Sequence, residues 1–125
     1  MRNILFIEDD AFIRDIYEVK LHLDLNAKVI VAASGNEGIK LLKSENSFDL
    51  VVSDYSMKDG TGLDVLIFLE NSELSVPFYL YTSTIDLEVV TKYPFFKGIH
   101  HKFQYNDLIQ DAARILLPKN EETEV

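Results

Sequence analysis

The stretch FDLVVSDYSMKDGTGL, residues 48–63, decides the fold. It opens on the apolar run Leu50, Val51 and Val52 and meets a carboxylate at Asp54. It then breaks into a loop of Lys58, Asp59, Gly60, Thr61 and Gly62. A continuous short apolar run fits a strand covered on both faces, as in a parallel sheet. Such a strand, carrying one acid to its carboxyl end before a Gly-rich turn into a helix, is how an open α/β sheet presents a reactive group. The first apolar run, Ile4-Leu5-Phe6-Ile7, ends the same way, in Glu8, Asp9 and Asp10.

Working outward, the pattern predicts strands over residues 2–7, 28–32, 49–54, 77–81 and 95–101. Asp10 caps the helix after the first strand, and Phe12, Ile16, Val19 and Leu23 recur at helical spacing as its inward stripe. Ser34 with Glu37 has capping-box spacing and opens a second helix, with Ile39, Leu41 and Leu42 inward. A third helix runs over 62–71. A fourth starts near Asp86 and Glu88 and stops near Tyr93, because Pro94 disfavours helical geometry in the residue before it. A fifth covers 104–117, with Leu108, Ala112, Ile115 and Leu116 as its stripe. Five strands alternating with five helices give a doubly wound parallel α/β sheet. Its expected order is 2-1-3-4-5, the flavodoxin-like (βα)5 arrangement. Residues 1–117 form one domain, and 118–125 a polar acidic tail or the start of a linker.

The composition narrows the function classes. The 125 residues suffice for a single core. No apolar run approaches a membrane span, no signal peptide is legible, and cysteine is absent, so disulfides and thiolate sites are excluded. A cytoplasmic protein is expected. The formal net charge of -9 argues against direct nucleic-acid binding, since phosphate contacts need clustered Lys and Arg.

In the order 2-1-3-4-5 the first and third strands are neighbours, which gathers Glu8, Asp9 and Asp54 into one crevice. Three adjacent carboxylates stay ionised cheaply only when a cation joins them. With oxygen donors alone, Mg²⁺ is expected and Mn²⁺ is possible. A carboxylate beside such an ion can attack a phosphoryl group and form an aspartyl phosphate. That reaction needs mainly positioning and charge neutralisation. Thr82, after the fourth strand, offers a hydroxyl, and Lys102, after the fifth, offers a cation. Singly, Glu8, Asp9 and Thr82 read as helix caps and Lys102 as a solvated lysine. Their placement at successive strand ends favours a site.

The acidic pair in ILFIEDD, the acid in DLVVSDYSM, the Thr-Ser step in PFYLYTS and the lysine in GIHHK stand in one order over residues 1–117. In these the chain resembles a bacterial response-regulator receiver domain. The resemblance implies that Asp54 accepts phosphate from a histidine kinase, a phosphotransfer protein or a small phosphodonor. Such a domain catalyses its own phosphorylation and dephosphorylation and is not a turnover enzyme. Glu8, Asp9, Asp54 and the Ser56 carbonyl would hold Mg²⁺, while Thr82 and Lys102 would contact the phosphoryl group. Ser56 and Thr84 would tune dephosphorylation, and a downstream effector or a second copy would meet the face of the fourth helix, fifth strand and fifth helix.

The chain departs from that family at four places. Lys58 stands where proline is usual, which implies a less rigid loop. Phe103 follows Lys102 where proline is usual, so the loop is either trans or strained by a bond costing about 3 kcal/mol. Ile99 stands where the family carries a switching aromatic ring. The segment from Thr82 to Lys102 is short and cut by Pro94. His100 and His101 read as exposed edge-strand residues on opposite faces. The second reading is a phosphorylation-independent interaction module. A phosphohydrolase lacks its second acid two residues after Asp54, and a flavin site would need Gly and hydroxyls after the first strand.

Overall fold

The computed structural model describes residues 1–44, 46–84 and 86–117. Among them run β1 (Arg2–Ile7), α1 (Ala11–Leu25), β2 (Ala27–Ala32), α2 (Gly35–Lys43) and β3 (Leu50–Ser53). There follow α3 (Gly62–Glu70), β4 (Phe78–Thr82), β5 (Phe96–His101) and α4 (Tyr105–Leu116). All strand pairs are parallel, in the order β2-β1-β3-β4-β5. The expected tail, 118–125, lies outside the described residues.

Each side of the sheet buries alternate strand residues. Leu5, Ile7, Val51, Phe78 and Leu80 pack with Leu42 of α2 and with Val65, Leu66 and Leu69 of α3. Ile4, Phe6, Val52, Tyr79 and Tyr81 pack with Leu21 of α1 and with Leu108, Ala112 and Leu116 of α4. Burial on both faces is why β1, β3 and β4 read as short apolar runs.

Side-chain caps start α1, α2 and α3. Asp10 Oδ1 accepts the Ile13 N–H at 3.1 Å. Ser34 Oγ accepts the Glu37 N–H at 3.1 Å, but Glu37 bonds back to Ala33 rather than to Ser34, so half of the expected box forms. The reciprocal box belongs to α3, between Thr61 and Asp64.

Two sequence expectations fail here. The stripe assigned to α1 points outward: Phe12 and Leu23 are 74% and 71% exposed, and Ile16 and Val19 are also exposed. The inner face carries Leu21, with Tyr17 and Leu25 half-buried. A helix with apolar residues on two sides gives periodicity no means of choosing between them.

The predicted fourth helix is also not formed, and α4 corresponds to the predicted fifth; no described residue between β4 and β5 is helical. Thr84, Val89, Val90 and Thr91 are β-branched and lose rotamer freedom in a helix. Asp86 takes a left-handed φ of 58°. Tyr93, 5% exposed, donates its hydroxyl to the Val76 carbonyl at 2.8 Å, and Thr91 Oγ1 bonds Glu70 at 2.7 Å. These contacts stitch the stretch, as irregular chain, to the end of α3 and the turn before β4.

Candidate functional site

Register builds the crevice. Ile7 pairs with Ser53 across β1 and β3, so the next residues, Glu8 and Asp54, emerge side by side at the carboxyl edge. The Asp54 N–H donates to the Ile7 carbonyl at 2.9 Å, and the Glu8 N–H to that of Ala32 at 3.0 Å. This is where the strand order reverses, with β1 flanked by β2 and β3, the usual ligand crevice of an open α/β sheet.

Glu8 is 1% exposed and Asp54 7%, whereas Asp9 is exposed. One carboxylate oxygen from each of the three lies within 4.8 Å of the others. Lys102 Nζ stands 2.9 Å from Glu8 Oε1 and 3.1 Å from Asp54 Oδ2. The second oxygens are also engaged, with Asp54 Oδ1 accepting the Tyr55 N–H at 2.8 Å and Glu8 Oε2 the Asp10 N–H at 3.2 Å. Asp9 Oδ2 accepts the Lys58 N–H at 3.3 Å.

Burial pushes the Glu8 carboxyl above its ordinary value, with the Asp54 charge adding to the rise and the Lys102 bond opposing it. For Lys102, burial alone would lower the value. Its bonds and proximity to Glu8 and Asp54 outweigh burial and leave the ammonium raised. The site therefore keeps a firmly charged cation against two buried acids. The donor set is three hard carboxylates, without sulfur or imidazole, and suits a hard divalent ion such as Mg²⁺.

Thr82 is 1% exposed, and its Oγ1 accepts the Thr84 N–H at 3.0 Å, so the hydroxyl also shapes the turn leaving β4. Its carbonyl accepts the Lys102 N–H at 2.9 Å, which joins the ends of β4 and β5. Ser56 and Thr84 are exposed on the loops. Ile99 pairs with Leu80 and packs half-buried on the α2–α3 side. Phe103 is 73% exposed and stacks on His101, ring centroids 5.2 Å apart. No described peptide bond is cis, so the Lys102–Phe103 bond is trans.

The histidines do lie on the edge strand β5, but they correct the expected exposure, since both are half-buried. His100 Nε2 lies 3.0 Å from Asp111 Oδ2, with its ring 5.1 Å from Tyr79. His101 Nδ1 is buried without a hydrogen-bond partner.

Sequence reasoning missed the clamp on the loop after β3. Asp59 accepts bonds from Ser34 Oγ at 3.0 Å and Asn36 Nδ2 at 2.9 Å, which hold its carboxyl below the usual range. The Gly60 carbonyl accepts the Gly35 N–H at 3.0 Å. This clamp restrains the loop in place of the proline missing at Lys58. Asp59 and Gly60 take φ of 56° and 95°, and the Asp-Gly pair was the available signal. Gly62 is forced by space: a Cβ there would lie 2.3 Å from the Asp54 carbonyl oxygen and 2.7 Å from Leu80 Cδ2.

Fold and crevice together define a doubly wound α/β domain with a lysine-bridged acidic site at its topological switch point. The family model of the response regulator receiver domain matches residues 4–110, and the chain belongs to that family. Among curated relatives, the response regulator SaeR of Staphylococcus aureus is 30% identical over 83 residues, 66% of this chain. The match spans 35% of that relative's length, so the chain corresponds to about a third of it. Among solved structures, the Thermotoga maritima response regulator TrrA in complex with Mg²⁺-BeF superposes with a TM-score of 0.82 at 21% identity. It covers 93% of this chain and 100% of that one. The receiver domain of the hybrid histidine kinase CckA gives 0.74 at 20% identity, over 92% and 99%. No described helix is long and apolar enough to cross a membrane.

Proposed function

We propose that this chain is a phosphoryl-acceptor switch in which Asp54 takes a phosphoryl group from a histidine kinase, a phosphotransfer protein or a small phosphodonor. The observation that carries the reading is one lysine bridging two buried acids beside a third, at the end of β1 and β3. An Asp54 carboxylate oxygen forms the new bond to phosphorus. The bond from phosphorus to the donor's imidazole nitrogen, or to the acetate oxygen of acetyl phosphate, breaks, and that atom leaves with the bonding electron pair. Glu8, Asp9, Asp54 and the Ser56 carbonyl would hold Mg²⁺ or Mn²⁺. The ion, when bound, neutralises phosphoryl oxygens. Lys102 supplies a second positive charge, and the Thr82 hydroxyl is a donor for a phosphoryl oxygen.

The TrrA structures support a partner class, because one of them is a complex of that regulator with the histidine kinase ThkA. By that analogy this chain would meet a kinase on one side and an effector protein or domain on the other, with a homodimer as a further possibility and no direct nucleic-acid contact. Ser56 and Thr84 would set the lifetime of the acyl phosphate. The chain would accept a phosphoryl group and lose it again in the cytoplasm, accelerating both steps for itself without turning over an external substrate.

The output would pass through β5, α4 and the irregular stretch before β5, with Ile99 and Phe103 on that side. Phosphate drawing Thr82 and Lys102 inward would favour one arrangement of this face. A second reading, an interaction module indifferent to phosphate, is favoured by one observation: the stretch between β4 and β5 holds no described helix to be shifted. Hydroxylamine separates the readings. Protein treated with acetyl phosphate and Mg²⁺ should carry hydroxylamine-sensitive phosphate, as an acyl phosphate does, and Asp54→Asn should carry none. Absence of label in both supports the module.

A further inference from the structure

We infer that the Tyr81 hydroxyl, itself held by Tyr17, is the positioning group that fixes the main chain of Lys102 and so aims its ammonium at Glu8 and Asp54. The inference rests on the phosphoryl-acceptor reading and names what keeps the site's cation in place.

Tyr81 is the penultimate residue of β4 and 1% exposed. Its hydroxyl oxygen lies 2.9 Å from the Lys102 carbonyl and 2.9 Å from the Tyr17 hydroxyl. A carbonyl only accepts, so the single Tyr81 O–H donates to Lys102 and the Tyr17 O–H donates to Tyr81. The chain therefore runs one way, from α1 through β4 to the loop after β5. Bonds aligned in that sense polarise one another.

The rings are locked. Tyr17 meets Tyr81 edge-on with centroids 5.5 Å apart, meets Phe6 edge-on at 5.7 Å, and stacks on Tyr105 at 5.6 Å. Neither hydroxyl can swing without unpacking this cluster. Beyond this bond, the loop's other ties run within its own segment, from the Gln104 N–H to the His101 carbonyl at 2.8 Å and from Phe103 to the His101 ring. Phe103 and Gln104 are exposed, and the Lys102–Phe103 bond is an ordinary trans peptide without a ring. With its N–H on the Thr82 carbonyl and its C=O on Tyr81, Lys102 is fixed to β4 from both sides. A lysine side chain has four methylenes of freedom, so fixing its origin narrows what the ammonium can reach. A plain aliphatic residue at position 81 would fill the same space and leave that carbonyl unheld.

Tyr81→Phe keeps the ring and deletes the bond. It should slow Asp54 phosphorylation by acetyl phosphate about threefold to tenfold, the weight of one hydrogen bond. Tyr17→Phe should slow it in the same direction by less. In a Lys102→Met background, Tyr81→Phe should cause no further slowing. In the metal-free protein, amide hydrogen exchange at Lys102 and Gln104 should quicken in Tyr81→Phe. An unchanged rate in Tyr81→Phe, or an equal loss in both backgrounds, or unchanged exchange at those amides overturns the inference. If the parent itself takes no phosphate, the acceptor reading fails and the inference falls with it, an outcome distinct from all three.

Discussion

The Lys102 ammonium stands 2.9 Å from Glu8 Oε1, a residue 94 positions away in sequence. Glu8 is only 1% exposed, and its carboxyl is raised above its ordinary value mainly by that burial. The folded state therefore holds a proton on Glu8 at pH values where the unfolded chain has lost it. Stability of the metal-free protein should fall as pH climbs from about the model-peptide carboxylate range to the raised value, and level off beyond it. On the proposed site a divalent ion would need Glu8 ionised, so Mg²⁺ affinity should run the other way, rising over the same window with proton release. Calorimetry across pH reads both trends. In Glu8→Gln the Mg²⁺ affinity should drop about tenfold or more and lose this pH dependence.

Gly62 sits under Asp54. A Cβ 2.3 Å from the Asp54 carbonyl oxygen cannot be relieved by a side-chain rotation, because the obstacle is backbone. Gly62→Ala should destabilise the fold by about 1–3 kcal/mol, as overpacking does. It should also weaken Mg²⁺ binding by moving Asp54. Urea unfolding and Mg²⁺ titration check the pair.

The non-helical stretch before β5 is held by the buried Tyr93 phenol together with Thr91 on Glu70. Tyr93→Phe removes the donor to the Val76 carbonyl and should cost about 1 kcal/mol. Amide exchange should quicken between residues 86 and 93, while the crevice keeps its Mg²⁺ affinity. Loss of that affinity would contradict the separation of the two regions.

Thr82 tests the switch. Thr82→Val removes the hydroxyl that accepts the Thr84 N–H at 3.0 Å and keeps the shape. Asp54 should still be labelled by acetyl phosphate, while the shifts that phosphorylation produces in NMR amide signals around Ser83, Thr84 and β5 should shrink. Undiminished shifts would show that the signal bypasses this hydroxyl.

Sheet order and crevice were legible because both rest on short-range patterns: apolar runs ending in acids, alternating with capped helices. Glu8 and Asp54 could be placed together once the strand order was known. Two kinds of feature were hidden. The α1 face was misread because Phe12, Ile16, Val19 and Leu23 keep helical spacing as well as the truly buried Leu21 does with Tyr17 and Leu25. The missing helix was misread because Asp86 and Glu88 look like a first turn. What decides that stretch is tertiary, namely the Tyr93 bond to Val76 and the Thr91 bond to Glu70. The Asp59 clamp and the Tyr17–Tyr81 pair likewise join residues 23 or more positions apart, beyond the reach of local patterns.

The most direct measurement is the intact mass of the protein after incubation with Mg²⁺ and acetyl phosphate, with Asp54→Asn alongside. The account predicts a gain of one phosphoryl group in the parent, abolished by chelator and absent from the variant. No adduct in the parent after rapid quenching, or an equal adduct on Asp54→Asn, would contradict it.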